Sequence, residues 1–210
     1  MDHLIKNNIK INIPEYGDIN SNGGGWSLEY DHVENWAWAS SVFSKSELDA
    51  ICNMGSDAHY YKGTTIGASD EKMRNSFVSF IFPNENTYWL FDRLAQIIHN
   101  TNNSYFKFDI TGMIQGLQFT QYSSPGEHYS WHIDRGIGCR KLSLSLQLSD
   151  PDEYDGGDLE LWFGGEEPIK MKKEKGMMTF FPSYALHRVS PVTRGTRRSL
   201  VCWISGPPFK

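Results

Sequence analysis

From residue 105 to the C-terminus the chain is cut into short β-rich stretches by turn signals, and this limits its fold more than any other feature. The stretches are 105–110, 114–122, 129–134, 141–148, 158–163, 168–172, 176–181, 186–190 and 196–204. Between them stand runs such as Ser124-Pro125-Gly126 and Asp155-Gly156-Gly157. Many short strands recurring at roughly 8–12 residues indicate a sandwich or a barrel. The earlier half has a different period. Ser44 or Ser46 caps a short helix through Asn53, with Leu48, Ile51 and Cys52 as its apolar stripe and Gly55 ending it. Residues 56–75 are polar and Gly-rich and read as a long mobile loop. A strand over Phe77, Val78, Phe80 and Ile81 stops at Pro83, and a helix from Glu85 to about Asn100 carries Trp89, Leu90, Leu94, Ile97 and Ile98 at helical spacing. The expectation is a mainly β, jelly-roll-like domain over 36–210. Its β core lies at about 105–205, on N-terminal helical support at about 44–100, behind an irregular arm over 1–35.

Composition excludes several functions. With 39% hydrophobic and 14% aromatic residues in 210, the chain has material for a packed core, so disorder and coiled coil are ruled out. A net charge of −5 provides no field for phosphate backbones, so no nucleic-acid partner is expected. No apolar run is long enough to span a bilayer, and residues 1–20 lack the apolar core of a signal peptide. Cys52, Cys139 and Cys202 are odd in number and far apart, as for reduced thiols. A cytoplasmic protein without a membrane partner is the expectation.

His132-Ile133-Asp134 is the centre of the chemistry. On a strand, residues i and i+2 share a face, so the imidazole and carboxylate converge while Ile133 points away. His187 follows on a later stretch, behind the apolar run Met177 to Pro182. Two imidazoles and one carboxylate on one face form a facial triad that holds Fe(II) and leaves positions open. Alone, the tripeptide reads equally well as a carboxylate orienting a core histidine. Its company favours the metal. Arg197 and Ser199 share a strand face, and a planar guanidinium with a hydroxyl suits the far carboxylate of a 2-oxo diacid chelating the metal. Tyr122 and Tyr129 could reach the same cavity, although each taken singly reads as a core aromatic.

The runs Gln121-Tyr122 through Tyr129, His132 and Asp134, then Tyr154-Asp155-Gly156-Gly157-Asp158-Leu159, Phe181-Pro182, and His187 through Arg197-Arg198-Ser199-Leu200, resemble the prolyl-4-hydroxylase-type 2-oxoglutarate and Fe(II)-dependent dioxygenases. They are especially similar to the small microbial and viral members and the PKHD-type hydroxylases, over about residues 40–205. The resemblance implies a double-stranded β-helix, with iron held by His132, Asp134 and His187. It implies 2-oxoglutarate paired with Arg197 and Ser199, Tyr122 and Tyr129 as pocket aromatics, and Trp203 as an aromatic of the final strand. Where several members carry another cosubstrate tyrosine this chain has Ser143 to Gln147, so Gln147 or Ser145 takes that place. Arg198 adjoins Arg197 on the opposite face, and a one-residue slip would exchange them.

The implied reaction decarboxylates 2-oxoglutarate to succinate and CO2 with O2 and hydroxylates an unactivated carbon. Ascorbate comes with the resemblance as a candidate accessory reductant. The apolar strands around Leu142, Leu144, Leu146, Phe180 and Phe181 are candidates for keeping the cavity dry. Residues 60–75 match a loop that closes over substrate, and Arg74 matches a substrate-contact position, its alternative being a surface charge. Trp131 and Arg135, with Arg188, Arg194 and Arg198, are candidates for the mouth. A prolyl residue in a peptide or protein is the implied substrate. A free amino acid or another side chain is the alternative within the same chemistry. A non-catalytic β-sandwich binding module is the rival from another class, and the complete triad with Arg197 counts against it.

Overall fold

The computed structural model describes residues 34–64, 70–134, 136 and 139–209, together with the backbone of 5–6. In chain order the elements are β1 (Ile5–Lys6), β2 (Ala37–Ala39), α1 (Lys45–Asp57), β3 (Tyr61–Lys62), β4 (Arg74–Asn75), β5 (Phe77–Ile81) and α2 (Tyr88–Thr101). A π-helical turn, Asn102–Phe106, extends α2. Then come β6 (Leu117–Ser123), β7 (His128–His132), β8 (Arg140–Gln147), β9 (Tyr154–Gly156), β10 (Leu159–Trp162), β11 (Ile169–Lys170), β12 (Met178–Pro182), β13 (Leu186–Val189) and β14 (Val192–Ser205). The strands form two antiparallel sheets. The larger runs β1-β2-β12-β8-β14-β6-β5-β3 with β9 on β14, and the smaller runs β11-β10-β13-β7-β4. This is the expected mainly β jelly roll with helices beside it.

The alternation of β8 sets the layering. Leu142, Leu144 and Leu146 join one buried cluster with Leu48 and Ile51 of α1 and with Leu90, Leu94, Ile97 and Ile98 of α2. Ser143, Ser145 and Gln147 therefore face the other way, toward the smaller sheet. β14 repeats the pattern: Leu200, Cys202 and Ile204 join the helix-side cluster, while Arg197, Ser199, Val201 and Trp203 line a cavity between the sheets. The expectation that the β8 leucines and Phe180 keep that cavity dry is thereby corrected. They pack on the helices, and of that group only Phe181 lines the cavity.

Other local differences have physical causes. α1 starts at its expected cap, Ser44, whose hydroxyl accepts from the Glu47 N–H while Glu47 reaches back to the Ser44 N–H. It does not end at Gly55 but continues to Asp57. A Cβ on Gly55 would lie 2.2 Å from the Phe119 ring, so this glycine permits close passage over β6 rather than termination. The strand expected at 105–110 is absent. The π-helical turn carries Tyr105 and the buried Phe106, and Asn102 receives the chain beyond it through bonds to the Phe108 N–H and C=O. In the expected loop 56–75, β3 pairs with β5 and β4 pairs with β7. Residues 65–69 of that loop, and most of the expected arm over 1–35, lie outside the described residues.

Candidate active site

The strand expected at 129–134 spans 128–132, so Asp134 follows its end. Asp134 is held there by its own N–H, which donates to the Ser183 carbonyl at 2.8 Å in the turn between β12 and β13. β7 is also irregular: His132 pairs with His187, Tyr129 pairs with Val189, and the register shifts between them. That shift puts Tyr129 and His132, three residues apart, on one face with rings stacked at 3.4 Å and 14°.

Each imidazole is oriented from behind. His132 Nδ1 donates to the Ser130 carbonyl at 2.7 Å, and His187 Nδ1 donates to the Ala185 carbonyl at 2.9 Å. A carbonyl only accepts, so Nδ1 carries a proton in each ring, and in the neutral imidazole the lone pair lies on Nε2. Both Nε2 atoms face Asp134, His132 Nε2 at 3.9 Å from Oδ1 and His187 Nε2 at 3.6 Å from Oδ2. The three donors lie within 4.8 Å of one another. Burial first, then the neighbouring His187, pushes His132 down to about 3. Burial works to raise Asp134, but both imidazoles and the hydrogen bond from Ser143 outweigh it and leave the carboxyl below its ordinary range. A neutral His132 and an ionised Asp134 are in the states that bind a metal without first losing a proton. Two imidazoles and one carboxylate at this separation fit Fe(II).

The same cavity continues to Arg197, which is 2% exposed. Its Nη1 donates to Ser199 Oγ at 3.2 Å, and its guanidinium lies 5.6 Å from the centre of the Tyr122 ring. Among the described residues no carboxylate pairs with it. A buried guanidinium needs an anionic partner, and one carboxylate of 2-oxoglutarate fits that need at the far end of a cavity whose near end holds the triad. Burial raises the Tyr122 and Tyr129 phenols, which therefore stay protonated.

The structure brings most of the expected residues together. His132, Asp134, His187, Arg197, Ser199, Tyr122, Tyr129, Trp203 and Arg74 all line one cavity. Arg74 is buried rather than a surface charge, with Nε on Ser76 Oγ at 2.9 Å and its guanidinium over the Tyr129 ring. Gln147 does not line that cavity. Its Nε2 donates to the Tyr154 hydroxyl at 2.8 Å behind Arg197. Trp131 turns outward beneath the Arg188 guanidinium, 4.7 Å from its ring, and lines no part of the cavity. Arg135 lies outside the described residues.

Two contributors were not anticipated. Ser143 donates to Asp134 Oδ2 at 2.6 Å and lies 2.9 Å from the Ser183 hydroxyl. Tyr154, fully buried, accepts a hydrogen bond from Gln147 Nε2, and the nearby Arg197 charge works against the burial that raises its phenol. The Tyr154-Asp155-Gly156-Gly157 motif was the available signal for Tyr154. Ser143 carried only its strand-face alternation.

Comparison with known proteins agrees with this geometry. Residues 117–205 match the model of the 2OG-Fe(II) oxygenase superfamily. A PKHD-type hydroxylase of Synechococcus sp. (strain CC9605) is 42% identical over 85 residues, 39% of this chain and 38% of the relative. Among solved structures, a Pseudomonas putida prolyl-4-hydroxylase superposes with a TM-score of 0.67 at 21% identity, covering 81% of this chain and 92% of that one. A prolyl hydroxylase from Trichoplax adhaerens, in complex with a hypoxia inducible factor oxygen degradation domain peptide fragment, gives 0.70 at 18%, covering 81% and 83%. The matches span 38%, 44% and 49% of the first three curated relatives, less than half of each. With the jelly roll, the His-Asp-His donors and the buried arginine in one cavity, residues 117–205 are similar in sequence to the 2OG-Fe(II) oxygenase superfamily, and the fold is similar to that of prolyl hydroxylases.

Proposed function

We propose that this protein is a 2-oxoglutarate- and Fe(II)-dependent dioxygenase that hydroxylates a prolyl residue in a peptide or protein. The observation that carries the reading is a single cavity with three candidate metal donors at one end and, at the other, a buried arginine that no carboxylate pairs among the described residues. The prolyl substrate draws its support from the two prolyl hydroxylases of similar fold, one of them holding a peptide.

Bound iron, with 2-oxoglutarate and O2, supplies the oxidation: 2-oxoglutarate gives succinate and CO2, and one oxygen atom becomes the hydroxyl of the substrate. The chain supplies placement. His132, Asp134 and His187 hold the metal, with the imidazoles fixed by backbone carbonyls and the carboxylate by Ser143. Arg197, Ser199 and Tyr122 bind the distal carboxylate of 2-oxoglutarate. Leu159, Phe181 and Val189 exclude water between the two ends.

The test is succinate release from 2-oxoglutarate by the iron-loaded full chain in air, with and without a proline-rich peptide. Peptide-stimulated succinate and a product heavier by one oxygen atom are expected. His132→Ala and Asp134→Ala should abolish both while the circular dichroism of the fold persists, and Arg197→Ala should chiefly raise the 2-oxoglutarate requirement. Undiminished turnover in Asp134→Ala would overturn the metal assignment, and unstimulated turnover with no peptide product would overturn the prolyl substrate.

A further inference from the structure

Outside the triad the cavity opens into a wide cleft whose lining includes Arg74, Arg140, Asp134 and Trp203, with Phe80 and Phe82 on its apolar wall. Among the described lining residues Asp134 is the only acid, and in the proposed enzyme its charge is taken by the metal. In a chain of net charge −5 the cleft is thus locally cationic.

Arg74 is already engaged, by Ser76, by the Thr64 carbonyl and by the face of Tyr129. Arg140 is not. Its guanidinium lies 3.8 Å from the Trp203 ring centre, and one terminal nitrogen donates to Gln115 Oε1 at 2.5 Å. Its Nε is buried with no hydrogen-bond partner, and no carboxylate pairs with it among the described residues. A Cβ on Gly136 would lie 2.4 Å from its central carbon, so the backbone passes close over the group on a residue that leaves room for it. Indole and glycine fix the plane of the group over its covered Nε, and the terminal Nη1, with no hydrogen-bond partner among the described residues, leaves the outer edge of the fork to receive a carboxylate.

We infer that Arg140 recognises a carboxylate on the molecule being hydroxylated, separate from the 2-oxoglutarate carboxylate at Arg197. This rests on the dioxygenase reading and narrows its substrate to one bearing an acid near the oxidised carbon. Two sources share that chemistry: the α-carboxylate of a free amino acid, and an acidic side chain beside the oxidised residue of a peptide.

The test is calorimetric binding to the full chain loaded with Mn(II) and saturated with 2-oxoglutarate under nitrogen. Two probe pairs are used: L-proline against L-prolinamide, and a proline-containing hexapeptide with Asp after the proline against the same peptide with Asn. The carboxylate member of at least one pair should bind about tenfold or more tightly, as expected for a charged partner left unpaired in the amide. That ratio should collapse toward one in Arg140→Gln and be partly kept in Arg140→Lys. Discrimination in the first pair assigns a free amino acid, and discrimination in the second assigns an acidic peptide. Equal binding within both pairs, no binding of any probe at millimolar concentration, or a ratio unchanged in Arg140→Gln overturns the inference. Failure of the dioxygenase reading shows separately, as 2-oxoglutarate binding that is absent or indifferent to Arg197→Ala; the probe pairs are then compared on the metal-free protein by the same criteria.

Discussion

Ser143 and Tyr154 act through the groups they hold, and each makes a separable prediction. The Ser143 hydroxyl occupies Asp134 Oδ2, which biases the carboxylate toward offering Oδ1 to a metal. Partners behind a metal ligand typically change affinity by about 10–100-fold when removed. Ser143→Ala should therefore weaken Mn(II) or Co(II) binding by about that factor in a metal-competition titration, with the melting temperature of the chelated protein little changed. Tyr154 stands behind Arg197, where its hydroxyl accepts from Gln147 Nε2 and its phenol feels the Arg197 charge. Tyr154→Phe leaves Gln147 Nε2 without its partner beside Arg197 and should raise the KM for 2-oxoglutarate by about fivefold, the ~1 kcal/mol of one neutral hydrogen bond, while kcat at saturating 2-oxoglutarate holds. A fall in kcat with unchanged KM would place Tyr154 outside the cosubstrate site. At this scale the triad and Arg197 were legible because their chemistry is rare and their motifs are ordered in the chain. Gln147 or Ser145 was read as taking the place of a cosubstrate tyrosine; Ser145 lines the cavity while Gln147 stands behind it on Tyr154, because strand alternation gives a facing direction and says nothing of what fills the space.

Among the elements, α1 shows how one residue couples a helix to the sheet that carries the site. Gly55 passes over Phe119, and its carbonyl accepts from Ser79 Oγ at 2.6 Å. Gly55→Ala would gain helix propensity but force a methyl into the Phe119 ring, and overpacking of this kind costs about 1–3 kcal/mol. A lowered urea midpoint with an unchanged m-value is expected, whereas a raised midpoint would show that the ring moves aside freely. Sequence periodicity located α1, α2, β5 and most of the later strands. It misassigned 105–110, where alternating aromatics imitate a strand while Asn102 and the buried Phe106 continue the helical winding. It also read a regular strand through His132, so the shared face of Tyr129 and His132 came from a register shift that no two-residue period contains.

For the whole molecule, the larger sheet separates two environments, leucines against the helices and polar side chains toward the smaller sheet. Burying the donors in the second has a cost without metal. His132 is held at about 3 when folded and titrates near 6.5 when unfolded. Between those values the unfolded chain binds a proton that the folded chain does not, so stability must fall as pH drops from about 6.5 toward 3. The depressed Asp134 acts in the same direction, losing its contribution as pH falls below the ordinary aspartate range. Denaturation of the chelated protein should thus show a falling midpoint from pH 7 to pH 4.5, with a shallower fall in His132→Gln; a flat profile would mean that His132 is as solvated folded as unfolded. The sequence by itself determined a mainly β fold and the helical support, and marked the candidate metal donors and the candidate cosubstrate arginine, because side-chain chemistry and strand periodicity are local properties written in order along the chain. Only the tertiary structure decided that Trp131 faces out, that Arg74 is buried, that Ser143 and Tyr154 stand behind the site, and that Arg140 stands in the cleft with no carboxylate paired to it among the described residues. Those depend on which distant residues meet across two sheets, and that is set by packing between elements far apart in sequence.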